Sequence, residues 1–514
     1  MLDRIRRDAA RDILAAALRA VDAGDAVRRA LTIDGDRLHV GGRPPHGAHV
    51  TPDGRTDVGR HDVHDTAHVQ DGRRDEAGHP LRDVNDVGRL THDPTAIDLA
   101  AVDLAAVDRI FVVAAGKAAR PMVEAAEDVL GGRVHAGIGV GGSDARGTTA
   151  STTFYSGGHP LPNPSSLMAA RHIQRLLADT TARDLVLVLL SGGASAMLEL
   201  PPGRLPLIEI AAAASTLLSC GAAIDEVNAV RKHLSAVKGG GLLRLAAPAR
   251  VITLAISDVI TPPGGDEAAT IGSGPASPDP TTFADAGAVL SRYDLWGALP
   301  AALGDHMRAG MAGHIADTLK PGDPLASLAA YRVIADGSTA VAGAAAHATH
   351  LGYAPLVVTT RLTGEAREVG RVLAAIALEC RADARPARPP ACLIAAGETT
   401  VTLRRLGGTG GRNREVALAA ALALDGADGI TLATLATDGT DATPGAAGAV
   451  VDGTTAARAA ALGRDARAAL DRHDSGPILA ALDDAIVTGP TGTNVGDVTI
   501  VLVDARPSSL DAAP

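Results

Sequence analysis

Runs of aliphatic residues that stop abruptly at glycine, serine or aspartate restrict this chain's fold more than any other feature. "DRIFVVAAGK" (Asp108–Lys117), "DLVLVLLSGG" (Asp184–Gly193) and "RVITLAISDV" (Arg250–Val259) are the clearest. A strand with one wet face alternates polar and apolar residues. These runs do not alternate, so both of their faces are buried, the habit of parallel strands flanked by helices. Helical segments follow them, as in "ARPMVEAAEDVL", and "YRVIADGSTAVAGAAAHATHLGYAPLVVTT" reads as strand, helix, strand. The expected fold is α/β, with a large doubly wound parallel sheet.

The proline- and arginine-rich stretch "RADARPARPPA" (Arg381–Ala391) marks an expected domain boundary. It divides a first domain, 1–385, from a smaller α/β domain, 391–503. The first domain opens with an amphipathic helix and a hairpin turning at Asp-Gly, "LTIDGDRLHVGG". Residues 43–94 carry seven of the 17 histidines with few large apolar groups. They read as a solvated, disordered insertion, with metal ligation by "RHDVHDTAH" as the alternative.

With 46% hydrophobic residues, the 514-residue chain can bury a sizeable interior. A net charge of −11 without a basic cluster argues against nucleic acid as a partner. The aromatic content of 2% argues against stacking platforms for single strands. No uninterrupted apolar run is long enough for a membrane span. Cys220, Cys380 and Cys392 are scattered, which fits a reducing cytoplasm. A monomer or small homo-oligomer acting on small molecules is the expectation. Only four of the 48 basic residues are lysines: Lys117, Lys232, Lys238 and Lys320. Lysine is a compact point charge that arginine replaces poorly, so these positions merit separate attention.

In open α/β sheets, ligands sit beyond the carboxyl ends of the strands. Lys117 follows the first run, and Ser191, Gly192, Gly193 and Ser195 follow the second. Asp258 ends the third. "TIGSGPASPDP" supplies Ser273 and Gly274 in a further glycine-serine loop. "NAVRKHLSAVKGGGL" puts Asn228, Arg231, Lys232 and Lys238 on or beside one helix, where a solvated face is the plain alternative. In the second domain Glu398 follows a strand. The loop Gly407–Arg412, containing Gly410 and Gly411, leads into a helix that starts with Arg412 and Asn413. Such a loop can close on an anion at the helix start, and Arg412 offers a two-pronged donor; a merely flexible loop is the alternative. Asp438 and Asp441 in "ATDGTDATPG" suit Mg²⁺ or else an Asx turn. Asn494 and Asp497 in "TGTNVGDV" carry the same ambiguity. So many polar strand ends, drawn from both domains, suggest a site between them.

Together these motifs resemble the glycerate 2-kinases that carry a MOFRL domain, a family also known by older hydroxypyruvate reductase or glycerate dehydrogenase names. The matching segments include "VVAAGKAA", "GGHPLPNPSS", "LLSGGASAM", "AISDV", "GETTVTL" and "GGTGGRNRE", in family order over roughly Asp103 to Val503. The resemblance implies a Rossmann-like large domain, a MOFRL domain and an active site in the cleft between them. It implies transfer of the γ-phosphoryl group of ATP to the C2 hydroxyl of D-glycerate with a divalent cation. The family's lysine in the GK turn maps to Lys117 and its arginine in the GGRN loop to Arg412, the two expected catalytic residues. Ser191, Gly192, Gly193, Ser195, Asn228, Lys232, Lys238, Ser273, Gly274, Glu398, Gly410, Gly411, Asn413 and Asn494 are expected around substrate and nucleotide. Asp258, Asp438 and Asp441 are expected near Mg²⁺. The rival readings are a nicotinamide-dependent hydroxypyruvate reductase and a non-catalytic nucleotide- or sugar-acid-binding protein. "GIGVGG" (Gly137–Gly142) matches a dinucleotide fingerprint, but no helical pattern and no suitably spaced acid follow it.

Overall fold

The computed structural model describes residues 2–43, 49–50, 56–57, 102–143, 145–260, 267–403, 408–442 and 445–506. Two helices, Leu2–Ala20 and Ala23–Ala30, lead into the expected hairpin of β1 (Leu31–Asp34) and β2 (Arg37–Val40). Short strands β3 (His49–Val50) and β4 (Thr56–Asp57) pair with each other, and β5 (Val102–Asp103) pairs with β2. The remainder of the expected insertion lies outside the described residues.

The aliphatic runs form the first sheet. It contains β6 (Ile110–Ala115), β7 (Val134–Gly141), β8 (Gly147–Thr148), β9 (Thr152–Ser156), β10 (Leu185–Leu190), β11 (Arg250–Ile256) and β12 (Ala329–Ala335). The order is β12-β11-β10-β6-β7-β9-β8, parallel throughout except at the β8 edge. Every residue of β6 and β10 is buried, as two-sided packing requires. Register aligns Ala115 with Leu190 and Leu190 with Ala255. The residues just beyond these positions, Lys117, Ser191 and Asp258, therefore emerge side by side.

The second sheet contains β13 (Ala354–Leu362), β14 (Ala391–Gly397), β15 (Ile430–Ala436), β16 (Gly448–Asp452), β17 (Ala485–Ile486) and β18 (Asp497–Val503). Its order is β13-β14-β18-β15-β16-β17, and only β13 and β14 run parallel. Because β18 is antiparallel to both neighbours, its first residue, Asp497, lies opposite the last residues of β14 and β15, Gly397 and Ala436. Glu398, Asp438 and Asp497 are thus gathered at one sheet end.

Two features of the expected division do not hold. The run "APLVVTT" pairs with β14, so the second sheet begins before the Arg381–Ala391 stretch, which only joins the Ala366–Asp383 helix to β14. The N-terminal helix also docks on the second sheet. Arg6 reaches Asp504 at 2.6 Å, and Arg7 reaches Asp452 at 2.9 Å and also pairs with Asp484. Ile13, Leu14 and Ala17 of that helix share one core with Leu187 and Leu254 of the first sheet and Ile394 and Ile500 of the second. An aliphatic strand or amphipathic helix encodes a need for burial, not which sheet supplies the partner. No helix among the described residues is long and apolar enough to cross a membrane.

Candidate active site

The two sheets turn their polar ends toward a shared cleft. Lys117 Nζ, beyond β6, meets Asp438 Oδ2, beyond β15, at 2.5 Å. Asn494, just before β18, donates through Nδ2 to Asp258 Oδ2, beyond β11, at 2.7 Å. Gly192 permits the second bridge: a Cβ at that position would collide with both Asn494 and Asp258. Its carbonyl also accepts from Lys117 N at 2.9 Å, fixing the turn that projects the lysine.

A cavity of about 600 Å³ is lined by Lys117, Asp258, Glu398, Arg412, Asp438 and Asn494, among others. A second lobe of about 620 Å³ is more apolar. Leu218, Ile224, Val259 and Ile271 border it, together with Ser195, Asn228 and Arg231. His159, Gly193, Asp258 and Glu398 border both lobes. A larger groove, about 1090 Å³, lies instead between the N-terminal helix and the β16–β17 edge. There Arg7 and Arg458 are paired with Asp452 and Asp484, which leaves the groove's main charges internally compensated.

Arg412 is clamped within its own domain. Its Nε donates to Asp497 Oδ2 at 2.6 Å and its Nη2 to Asp497 Oδ1 at 2.9 Å, while Nη1 lies 2.7 Å from Glu398 Oε1. Burial opposes the charge on Arg412, but the two carboxylates more than offset it and hold the guanidinium above its ordinary pKa. Burial pushes the Asp497 carboxyl up to about 6, with Arg412 opposing the rise. The Glu398 and Asp258 carboxyls are also raised by burial, opposed by Arg412 and Lys117 respectively.

The anion at the start of the Arg412–Ala423 helix belongs to the protein itself. Asp441 accepts from Asn413 N at 3.0 Å, from Arg414 N at 2.9 Å and from Arg414 Nε at 3.0 Å. A carboxylate there satisfies free N–H groups and the positive end of the helix dipole. Gly411 lies directly against it, since a Cβ would collide with the Asp441 carboxyl. Gly410 backs this arrangement, its carbonyl accepting from Arg414 Nη2 at 2.9 Å. Asp441 is therefore committed to capping rather than to a metal. Asn413 is buried, with its Oδ1 taken by Thr434. The loop poses Arg412, and the Asp441 carboxylate takes the N–H groups of Asn413 and Arg414 at the helix start. Gly407 lies outside the described residues.

The other sequence candidates divide by burial. Ser191 is buried and accepts from Ala118 N at 2.9 Å, locking the Lys117 turn from behind. Ser195 and Ser273 share a hydrogen bond of 2.6 Å, and Ser273 donates to Asn228 Oδ1 at 2.9 Å. Of these three, Ser195 and Asn228 line the second lobe. The Gly274 carbonyl accepts from Gly240 N at 2.8 Å, behind that wall. Lys232 is buried against Asp279 at 3.1 Å and Lys238 against Glu199 at 2.5 Å. Neither lysine borders the two lobes. Both are buried ion pairs, and burial holds the Lys238 ammonium below its ordinary pKa, with Glu199 opposing.

Two cleft residues escaped the sequence reading as site members. Arg231 lies one position from Lys232 but three from Asn228, so helical geometry puts it on Asn228's face. Its side chain has no hydrogen bond or ion pair among the described residues, and burial lowers its pKa, with Glu199 opposing. His159, within the quoted "GGHPLPNPSS", reaches the junction of the two lobes. Desolvation in that recess, followed by the nearby Lys117 and Arg231, lowers its pKa to about 4.

Two packed α/β sheets, with cations and carboxylates converging at their strand ends, define a mixed α/β fold with one polar cleft between the sheets. Residues 391–497 match the MOFRL family, and residues 76–308 match a domain of unknown function designated DUF4147. The chain is 39% identical to a D-glycerate 2-kinase of Thermotoga maritima, over 77% of this chain and 91% of that protein. It is also 39% identical to an Agrobacterium vitis protein provisionally named hydroxypyruvate reductase, over 82% of this chain and 94% of the relative. A solved glycerate kinase structure from Thermotoga maritima superposes with a TM-score of 0.69 at 39% identity, covering 77% of this chain and 92% of the other. The chain belongs to the glycerate kinase family that carries a MOFRL domain, and it is an enzyme of that family.

Proposed function

We propose that this enzyme transfers the γ-phosphoryl group of ATP to the C2 hydroxyl of D-glycerate, giving 2-phospho-D-glycerate and ADP. The observation that carries this reading is the meeting of Lys117 and Asp438 across a cleft that also holds Arg412. Phosphoryl transfer asks a protein mainly for positioning and for charge stabilisation around the moving group. Lys117 and Arg412 supply positive charge from opposite walls. Arg412 is already oriented by Asp497, while Lys117 can exchange its single carboxylate partner for a substrate anion. Glycerate, small and highly polar, suits the first lobe. The second lobe offers apolar walls for a base, and Arg231, Asn228 and Ser195 for a polyphosphate.

Asp258 and Asp438 fit a divalent cation by donor chemistry. Mg²⁺ commonly takes one or two carboxylates and completes its shell with phosphate oxygens and water. No cluster of three or more ligating side chains occurs among the described residues, so the protein would share coordination with the nucleotide. Bound there, the ion would neutralise phosphate charge. Closure of the two domains over the lobes would exclude water and so limit wasteful ATP hydrolysis.

The test is to incubate the purified chain with D-glycerate, ATP and Mg²⁺ and to identify the phosphoglycerate isomer by phosphorus NMR. Formation of 2-phosphoglycerate with stoichiometric ADP is expected. Oxidation of NADH or NADPH with hydroxypyruvate, without ATP consumption, would overturn the proposal in favour of the reductase. The glycines that resemble a dinucleotide fingerprint sit inside or at the end of β7, where Gly137 and Gly139 make room for Thr152 and Phe154.

A further inference from the structure

A base for phosphoryl transfer must reach the acceptor hydroxyl where it meets the γ-phosphorus, at the junction of the two lobes. Among the described residues, four border both cavities, and one of them, Gly193, has no side chain. Asp258 accepts from Asn494, and Glu398 is paired with Arg412. His159 remains. Its ring is open to the cleft, and it has no hydrogen-bond partner among the described residues. It stands over the Gly193 turn: a Cβ on Gly193 would lie 3.2 Å from His159 Cδ2. The backbone before it is firmly placed. Gly157 N donates to Gly141 O at 2.9 Å, and Gly158 N donates to Ser166 Oγ at 3.1 Å. Asn163, which caps the Pro164–Leu176 helix, reaches back to Ser156 O at 3.2 Å.

We infer that His159 is the catalytic base of the proposed reaction, orienting the C2 hydroxyl of glycerate and accepting its proton. The inference rests on the glycerate-phosphorylating reading above. The hydroxyl oxygen forms a bond to the γ-phosphorus as the bond from that phosphorus to the β,γ-bridging oxygen breaks. The bonding electrons depart with ADP, and the hydroxyl proton passes to an imidazole nitrogen. The imidazolium returns the proton to solvent after product release.

Desolvation is the first influence on the ring, and the charged groups facing it act in both directions. Lys117 and Arg231 favour the neutral imidazole in the free enzyme, and Asp438 opposes them more weakly. Asp258, Glu398 and Arg412 complete the charged lining of the lobes. Entry of a polyphosphate would offset Lys117 and Arg231. The ring would then become more basic at the stage when a proton must be accepted.

The experiment compares the full-length enzyme with His159→Gln and His159→Ala under steady-state conditions across pH. A general base contributes roughly 10²- to 10⁴-fold. His159→Gln is expected to lose kcat on that scale with little change in KM for ATP, and to lose the acidic limb of the kcat profile. Added imidazole is expected to restore turnover to His159→Ala in a saturable manner. Near-normal kcat in His159→Gln would overturn the inference. So would a loss confined to KM, an absence of imidazole rescue, or an acidic limb that vanishes in Glu398→Gln rather than in His159→Gln. Thermal melts of each variant guard against simple unfolding, and rescue by imidazole is a gain that unfolding cannot produce. A wild-type enzyme that makes no phosphoglycerate would remove both readings. An active wild type with an unaffected His159→Gln would remove this one alone.

Discussion

Lys117 and Arg412 face one cleft but are held in opposite ways. Lys117 has one anionic partner, Asp438, and that partner belongs to the other sheet. Arg412 has two, Asp497 and Glu398, and both belong to its own sheet. Its guanidinium fork is fixed before any ligand arrives. The lysine is instead a contact between the two halves of the molecule, broken or exchanged at the cost of a single partly exposed ion pair. One wall is therefore preorganised and the other replaceable, a division that suits the proposed reaction, in which the cleft would admit two anions and close on them.

The sharpest way to break this comparison is to remove each cation in turn. Arg412→Ala and Lys117→Ala should each cut turnover by roughly 10³-fold, the scale of removing a group that stabilises charge in the transition state. Stability should separate them. Losing Arg412 strands Asp497, whose side chain is only 8% exposed, and should cost about 3 kcal/mol. Losing Lys117 breaks a partly exposed pair and should cost at most about 1 kcal/mol. Denaturant titration of both variants measures the difference. Arg412→Lys should rescue neither property, because an ammonium cannot reproduce the two-pronged bond to Asp497. Equal stability losses in the two alanine variants would contradict the asymmetry.

The glycine loops sharpen it further. Gly411→Ala would thrust a methyl group into the Asp441 carboxyl that caps the Arg412 helix. Overpacking of this kind costs about 1–3 kcal/mol, and here it should also tilt Arg412 and lower kcat. The backbone of Gly411 is extended, with φ −175°, so the clash alone is tested. A Gly411→Ala enzyme with normal turnover and melting temperature would show that the cap does not govern Arg412.

The strands and their polar ends were legible because unbroken aliphatic runs have few alternatives to a two-sided sheet. Sheet membership was not. Nothing in "APLVVTT" distinguishes a strand of the first sheet from one of the second, and the arginines of the first helix meet aspartates more than four hundred residues away. The scarcity of lysine did mark constrained positions, but the constraint differed from place to place. Lys117 faces the cleft, whereas Lys232 and Lys238 fill narrow buried slots beside Asp279 and Glu199. A compact ammonium suits either role, so residue type could not separate them. The glycine run before Arg412 signalled an anion at the helix start, and the anion the fold places there is Asp441. A carboxylate folded in from Asp441 meets the same physical demand as a ligand would, and sequence spacing carries no trace of that contact.

The smallest expected effect concerns the clamp's own titration. Asp497 moves from an ordinary value of 3.8 to about 6, with burial as the first cause. The folded state therefore keeps a proton at this site that the unfolded chain releases sooner. Stability falls with rising pH wherever the folded state binds more protons, so Asp497 should weaken the fold as pH rises from about 4 through about 6, the slope dying away about one unit above that. Asp497→Asn removes the titration. The stability gap between wild type and this variant should then move against wild type across that window, by a couple of kcal/mol at most, and level off at neutral pH. Chemical denaturation at several pH values measures the gap. A gap that moved in the opposite direction would mean that Arg412, not burial, controls the carboxyl. The clamp would then be a strongly ionised pair, and the expected penalty for Arg412→Ala would rise accordingly.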